Sequence, residues 1–143
     1  MKLVSDLMIR NVLTHQADDT LQDVEQTMAT HSIRHIPVLD ESGIVVGLLS
    51  QKEFLAEAFR ITDKFGAHNL RNYLAKTSVR QCMKNDIQTV RPDLDLAEAG
   101  RLLRSKRHGC LLVADEQERL LGIVSSQDFV RLAIELLEQR PAG

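Results

Sequence analysis

The chain has 143 residues, of which 43% are hydrophobic and 27% charged, and its formal net charge is −2. This composition is typical of a soluble globular domain, and the near-neutral charge gives no general attraction to nucleic acid or to anionic membranes. The longest apolar runs, residues 44–49 and 109–114, are far shorter than the roughly 20 residues that a membrane-spanning helix needs.

The sequence repeats itself at a constant offset of 75 residues, from Val4 and Val79 to Phe54 and Phe129. No gap is needed anywhere in that alignment. The identical pairs in between include Met8 and Met83, Thr14 and Thr89, Asp18 and Asp93, Gly47 and Gly122, and Ser50 and Ser125. A repeat of this length predicts two copies of one supersecondary unit.

Each copy predicts the same order of elements: strand, helix, strand, strand, helix. In the first copy we expect strands at 12–14, 35–39 and 44–49 and helices starting near 18–20 and after 50; in the second, strands at 87–90, 110–114 and 120–124 and helices starting near 92–95 and after 125. The turn at 40–43 ends in Gly43, whereas its counterpart ends in Glu118, which predicts a turn without a positive φ there.

The repeat therefore predicts an α/β (α+β) fold made of two pseudo-symmetric β-α-β-β-α motifs. We expect the first motif at 1–60, a helical connector at 61–78, the second motif at 79–137 and a C-terminal tail at 138–143. One motif is too small to bury its own sheet well, so the two should pack into one intramolecular module about a pseudo-twofold axis, leaving two equivalent clefts.

The last helix carries more apolar side chains than one core contact requires. Its stripe consists of Phe129, Leu132, Ala133, Leu136 and Leu137, and Val130 and Ile134 widen it. A helix buried on two sides needs a second cover, and this predicts a homodimer.

No catalytic motif is present, and no nucleophile–base pair can be assembled, so we expect no enzymatic activity and no catalytic cofactor. His31 and His35 are four residues apart, but Pro37 and the following apolar run put His35 on a strand, so no metal site is predicted. Cys82 and Cys110 lack a CxxC partner, which excludes a disulfide framework. The N-terminus lacks an apolar signal segment, and this predicts a cytoplasmic location.

Two strand-to-helix junctions carry the pattern Ser-x-x-acid: Ser50 with Glu53, and Ser125 with Asp128. One interpretation is a capping box, in which the acid reaches back to the N–H of the capping serine, and Glu53 suits that role. The other is a ligand site, in which the helix N-terminus attracts a phosphate and a short carboxylate accepts hydrogen bonds from a ribose diol. Asp128 suits this second role better, and both interpretations stay open.

The repeat, the His35–Leu39 strand followed by Asp40, the strand ends at 47–50 and 122–125, and Ser125-x-x-Asp128 together resemble a tandem pair of cystathionine-β-synthase (CBS) domains. The resemblance covers about residues 1–137. It implies a regulatory module whose clefts bind an adenosine-containing ligand, such as AMP, ADP, ATP or S-adenosylmethionine, and which often forms a dimer and signals to a partner protein.

Carried over by position, the resemblance implies one ligand-binding cleft per chain. Asp128 would hold the ribose and Ser125 would lie beside the phosphate. Val12, Ile33 and Ile123 would line the adenine slot, and Arg34, His35, Gly109 and Cys110 occupy positions of phosphate contacts. The sister cleft would use Leu48, Ser50, Glu53, Ile87 and His108, but Glu53 departs from the aspartate of the family. The alternative function is a ligand-free structural or protein-interaction module of the same fold.

Overall fold

The computed structural model describes residues 2–105 and 109–139. His108 and residues 140–143 of the expected C-terminal tail lie outside the described residues. The chain divides into two compact units. Residues 12–87 form what we call the first-repeat unit, and residues 1–11 with 88–143 form the second-repeat unit. Each unit contains one three-stranded sheet, which confirms the mixed α/β fold class.

The first-repeat unit contains β1 (His15–Gln16), α2 (Leu21–His31), β2 (His35–Leu39), β3 (Val45–Ser50), α3 (Gln51–Phe65) and α4 (Leu70–Lys76). The second-repeat unit contains α1 (Val4–Leu7), β4 (Thr89–Val90), α5 (Leu96–Ser105), β5 (Cys110–Ala114), β6 (Leu120–Ser125) and α6 (Ser126–Glu138). The predicted bounds of β2 and β5 are confirmed. The first strand of the first copy was expected at 12–14, but β1 lies just after it.

The two sheets have the same topology. In each, the short first strand runs parallel to the second, and the second pairs antiparallel with the third. The equivalent pairs Val38–Gly47 and Val113–Gly122 show that the register is also the same. The identical register explains why the repeat in the sequence needs no gap.

Each sheet packs its apolar residues against the helices of its own unit. In the first-repeat unit the core includes Leu21, Val24, Ile36, Val38, Leu49 and Ile61, and in the second-repeat unit it includes Val4, Leu96, Ala99, Leu111, Val113 and Val124. Full burial of one such Leu or Val side chain stabilises the fold by about 1.5–3 kcal/mol. The helices thereby hold the strand ends, and the junctions that follow them, in place.

A short segment adds a backbone pairing to the third strand of each sheet. Ile9 exchanges backbone hydrogen bonds with Ile123 at 2.9 and 3.0 Å, and Lys84 exchanges them with Leu48 at 2.9 Å. The segment that begins the chain thus belongs to the second-repeat unit, and the segment before residue 88 belongs to the first.

The prediction of a turn without positive φ at Glu118 was wrong: its φ is 65°, close to the 82° of Gly43. The reason is the aspartate at the start of each turn. Asp115 Oδ1 accepts hydrogen bonds from the N–H groups of Gln117 and Arg119 at 2.9 and 3.0 Å, and Asp40 does the same in the first copy. This pattern imposes the left-handed conformation at the last position, whichever residue stands there.

Candidate functional site

The junction between β6 and α6 is built around Asp128. Its carboxylate Oδ2 accepts a hydrogen bond from the Ser125 N–H at 2.8 Å and one from the Ser125 hydroxyl at 3.2 Å. Arg131 Nη2 donates to Oδ1 at 3.0 Å. Asp128 is only 4% exposed, so its carboxylate is held in one position at the start of the helix. Asp128 therefore caps α6, whatever else it binds.

Three other predicted residues surround this junction. Ser126 N–H donates to the carbonyl of Gly109 at 3.3 Å, and Cys110 pairs with Ser125 across the sheet. Ile123 lies two positions before Ser125, on the same face of β6. The structure thus brings together Gly109, Ile123, Ser125 and Asp128 at one end of the second-repeat unit.

The corresponding junction of the first-repeat unit joins β3 to α3. The Ser50 hydroxyl accepts from the Glu53 N–H at 3.4 Å and donates to the Glu53 carboxylate. His35 pairs with Ser50, and Gln51 N–H donates to the carbonyl of Arg34 at 2.7 Å. Of the residues predicted for the sister cleft, Ser50 and Glu53 meet here, and Leu48 lies two positions earlier on β3.

The hydrogen bonds of Glu53 and Asp128 differ from those that their side-chain lengths suggest. Glu53 was the better candidate for the reach-back contact, but its carboxylate receives the hydroxyl of Ser50. The shorter Asp128 makes the contact with the serine N–H. Capping at Asp128 does not decide between the two interpretations, because a carboxylate offers about four acceptor positions and Asp128 uses three of them in these contacts.

Arg131 is the residue of this site that the sequence reasoning missed. Its side chain is 52% exposed while its partner Asp128 is buried. The signal was available, since an acid and an arginine three residues apart on a helix face one another. Arg131 neutralises the carboxylate and occupies one side of it.

Cys82 lies beside the first-repeat junction, where its thiol donates to the carbonyl of Glu53 at 3.3 Å. Burial, together with the negative charges of Glu57 and Glu53, raises the pKa of this thiol to about 11. At neutral pH Cys82 is therefore a protonated, weakly reactive side chain.

The remaining predicted contacts belong to the first-repeat unit. Val12 and Ile87 are half-buried, Ile33 packs against its core, and Arg34 is exposed. The predicted ligand set therefore draws residues from both units, and it stays a prediction.

Within residues 2–105 and 109–139, no group of three or more His, Cys, Asp or Glu side chains lies close enough together to hold a metal ion. No helix in these residues is long and apolar enough to cross a membrane. A cavity of about 230 Å³ opens between α5 and α6, lined by Gly100, Leu103, Arg104, Ser126 and Phe129. Two of its lining residues, Ser126 and Phe129, are adjacent in sequence to the predicted ligand contacts Ser125 and Asp128.

Among curated proteins, a CBS domain-containing protein from Dictyostelium discoideum is 29% identical over 142 residues, which cover 97% of this chain and 96% of that protein. Inosine-5'-monophosphate dehydrogenase from Methanocaldococcus jannaschii is 27% identical over 131 residues, covering 92% of this chain. The chain spans only 23% of the length of that enzyme.

Solved structures show the same fold. A Vibrio cholerae protein provisionally named for acetoin utilization superimposes with a TM-score of 0.81 and 32% identity, over 95% of this chain and 94% of that one. CBSX2 from Arabidopsis thaliana in complex with AMP has a TM-score of 0.79 and 24% identity, over 96% and 99%. The CBS domain pair of protein MJ0100, in complex with 5'-methylthioadenosine and S-adenosyl-L-methionine, has a TM-score of 0.77 and 22% identity, over 94% and 97%.

The family model of the CBS domain matches the chain twice, at residues 4–60 and 79–135. These segments contain the two Ser-x-x-acid junctions and make up well over half of the sequence. The chain belongs to the CBS domain family.

Proposed function

We propose that this protein is a regulatory module that binds an adenosine-containing ligand, such as AMP, ADP, ATP or S-adenosylmethionine, and signals to a partner protein. The observation that carries the proposal is the buried Asp128 carboxylate, fixed beside Ser125 at the start of α6. Support at the level of the fold comes from two CBS-pair structures that hold AMP, or methylthioadenosine and S-adenosylmethionine.

The chemistry of the junction suits a ribose next to a phosphate. A ribose diol donates two hydrogen bonds, and a carboxylate is the natural acceptor for both. Ser125 occupies Oδ2 and Arg131 occupies one position of Oδ1, so the diol would use the one remaining position of Oδ1 and compete with Arg131 for the other. The first N–H groups of α6 and the positive end of its dipole favour the phosphate.

The other ligand contacts in this proposal are those of the sequence prediction. Ile123 with Val12 and Ile33 would contact the adenine, and Gly109 with Arg34 and His35 would contact the phosphate. We propose one occupied site per chain, at Asp128, because its short carboxylate is fixed by the Ser125 N–H and by Arg131. The longer Glu53 departs from the aspartate of the family, and its carboxylate accepts the Ser50 hydroxyl instead. A location in the cytoplasm is part of the same proposal.

A thermal-shift panel tests the proposal directly. The purified protein is melted with AMP, ADP, ATP, NAD, S-adenosylmethionine and a cyclic dinucleotide. A ligand at 100 times its dissociation constant adds about 2.7 kcal/mol, which raises the Tm of a domain of this size by roughly 5–10 °C. If no compound raises the Tm, the ligand-binding proposal is wrong.

One observation favours a second candidate, a ligand-free structural or protein-interaction module. The Asp128 carboxylate already accepts the Ser125 N–H in a helix cap and forms an ion pair with Arg131, so it has partners within the protein without a ligand. This candidate predicts an unchanged Tm across the whole panel. Turnover of any of these compounds by the pure protein would contradict both candidates.

A further inference from the structure

Three polar side chains contact one another in the first-repeat unit, and we call them the His15 network. Asp19 Oδ2 lies 2.8 Å from His15 Nδ1, and Thr27 Oγ1 lies 2.8 Å from His15 Nε2. The His15 side chain is only 12% exposed. The His15 network therefore connects β1, and the turn that follows it, to the middle of α2.

The second repeat shows that this fold does not require polar side chains at the three positions. At the repeat offset, the counterparts of the His15 network are Val90, Leu94 and Leu102, and all three pack against the core of the second-repeat unit. Apolar packing of similar volume is often as stable as a largely buried polar network, or more stable. Stability alone therefore does not account for the His15 network.

The hydrogen atoms available to the His15 network decide which of its contacts form together. A carboxylate only accepts, so His15 Nδ1 carries a proton and donates to Asp19. The Thr27 hydroxyl has a single proton, and its oxygen lies near two partners: His15 Nε2, and the carbonyl of Asp23 at 3.1 Å. When the ring is neutral, the hydroxyl must donate to Nε2, and the hydrogen bond to Asp23 is not formed.

Protonation of the ring removes this competition. His15 Nε2 then donates to Thr27 Oγ1, and the Thr27 hydroxyl is free to donate to the Asp23 carbonyl. The contact with Asp19 becomes a hydrogen bond between two charged groups, and such bonds are roughly twice as strong as neutral ones. One proton therefore adds one hydrogen bond and strengthens another.

The order of the groups matches that of a nucleophile, a base and an acid, but one requirement for catalysis is not met. Thr27 lies in the interior of α2, where the backbone N–H groups are bonded within the helix and cannot stabilise an oxyanion. The geometry therefore favours the binding of a proton over the activation of a nucleophile.

Asp19 remains charged over the pH range in which histidines titrate. Although burial favours its neutral form, hydrogen bonds from the Gln16 N–H and from His15 lower the pKa of the Asp19 carboxyl below its ordinary value. A change between about pH 5 and 8 therefore reports on a histidine and not on this carboxylate.

Other titratable groups lie on the elements around β1. Asp23 and His31 flank Thr27 one turn away on α2, and the Asp23 carboxylate accepts the Thr20 N–H at 3.2 Å. On β2, Val38 lies opposite His15. The remaining groups have partners of their own: Asp18 with Arg80, Glu25 with Arg71, and His35 with Ser50 across the sheet. All of these groups are kept in the variants below, so their titration cancels in the comparison.

We propose that the His15 network is a pH-sensitive contact, in which protonation of His15 tightens the attachment of β1 and the following turn to α2. The folded chain then holds the proton more firmly than the unfolded chain. The contact therefore stabilises the first-repeat unit at acidic pH, and this effect is lost as the pH rises. The proposal does not depend on the binding of an adenosine ligand.

The test compares the full-length parent with a variant that carries the residues of the second repeat: His15→Val, Asp19→Leu and Thr27→Leu. Urea denaturation gives the unfolding constants at about pH 5.5 and about pH 8. The ratio of the constants of variant and parent should be about three- to tenfold larger at the lower pH, as expected for one additional hydrogen bond. Thr27→Val is the matched single variant, since it keeps the shape of the side chain, and it should lose a large part of this pH dependence.

NMR of the ring nitrogens in the isotope-labelled parent gives a second readout, which a merely structural role would not produce. The His15 signals are identified by their loss in His15→Val, and the exposed His31 is the reference for an unconstrained ring. We expect the neutral ring of His15 to carry its proton on Nδ1, and the second proton to appear on Nε2 as the pH falls.

Three results would overturn the proposal. The first is a neutral His15 ring that carries its proton on Nε2. The second is a stability difference between parent and triple variant that is the same at both pH values, or smaller at the lower pH. The third is an undiminished pH dependence in Thr27→Val, and this variant decides the matter if the triple variant does not fold.

Discussion

Asp128 is the residue at which helix capping and ligand binding use the same carboxylate. Asp128→Asn removes the charge, so we expect a loss of about 0.5–1 kcal/mol of unfolding free energy from the weakened cap. If the carboxylate also holds a ribose diol, two hydrogen bonds worth about 1.5–3 kcal/mol each are weakened, and the affinity falls by roughly ten- to a hundredfold. Melting without ligand and calorimetry with the best compound of the panel measure the two effects.

Glu53→Gln is the control for this prediction, because it removes the same charge at the equivalent position of the first repeat. We expect it to change stability more than affinity. Equal, parent-like affinity in both variants would show that Asp128 does not hold the ribose. A loss of affinity in Glu53→Gln alone would move the ligand to the first-repeat junction.

Glu118 is held in the left-handed conformation by its turn, and its carboxylate then accepts hydrogen bonds from Thr89 at 2.6 Å and Arg91 at 2.5 Å. These hydrogen bonds lower the pKa of the Glu118 carboxyl below its ordinary value. A carboxyl whose pKa is lower in the folded state stabilises the fold above its unfolded-state pKa, and this stabilisation is lost as the pH falls through the folded-state pKa.

We therefore expect Glu118→Gln to lower the unfolding free energy at pH 7 by less than about 1 kcal/mol, since the ion pair is nearly half exposed. At about pH 3 the difference between parent and variant should shrink, because the parent is then protonated as well. Urea denaturation at both pH values measures it. A difference that grows on acidification would contradict the assignment.

At the scale of the elements, Gly47 and Gly122 allow a neighbouring segment to pair with the third strand of each sheet. A Cβ on Gly122 would lie 2.8 Å from the carbonyl oxygen of Ile9, and one on Gly47 would lie 2.8 Å from that of Lys84. Backbone atoms cannot move away cheaply, so we expect Gly47→Ala and Gly122→Ala each to cost about 1–3 kcal/mol. Chemical denaturation measures the loss.

Gly100 provides the matched control for these two variants. It lies inside α5, and a Cβ there would meet the ring of Phe129 at 3.3 Å, a side chain that can adjust. Alanine also gains about 1 kcal/mol over glycine in a helix interior. Gly100→Ala should therefore be close to neutral. Comparable destabilisation in all three variants would mean that close approach of the backbone is not the cause.

For the whole molecule, the exposed face of Val130 and Ile134 predicts a homodimer, as the width of the apolar stripe already indicated. Ile134→Glu should weaken the dimer at least tenfold, because a charge then enters an apolar contact. Light scattering over a range of concentrations measures the mass. Phe59→Glu tests the equivalent face of the first repeat, and a parent protein that is monomeric at every concentration would end this prediction.

The sequence alone was sufficient for the features that repeat or that arise locally. The offset of 75 residues gave two copies of one unit, and consecutive apolar residues located β2 and β5 to the residue. The Ser-x-x-acid pattern located both strand-to-helix junctions. These features depend on the periodicity of neighbouring residues and on local hydrogen bonds, which a single sequence displays.

Other features were decided only by the three-dimensional structure. The pairing of Ile9 with Ile123 joins residues far apart in the chain. Two further features are local but depend on backbone and side-chain geometry that residue types do not display: Asp128 rather than Glu53 reaches the serine N–H, and Glu118 has a positive φ. Ile61 and Leu136 occupy equivalent positions and are both apolar, yet α4 covers only the first. Burial is set by what packs on a residue, and equivalent positions of a repeat need not receive the same cover.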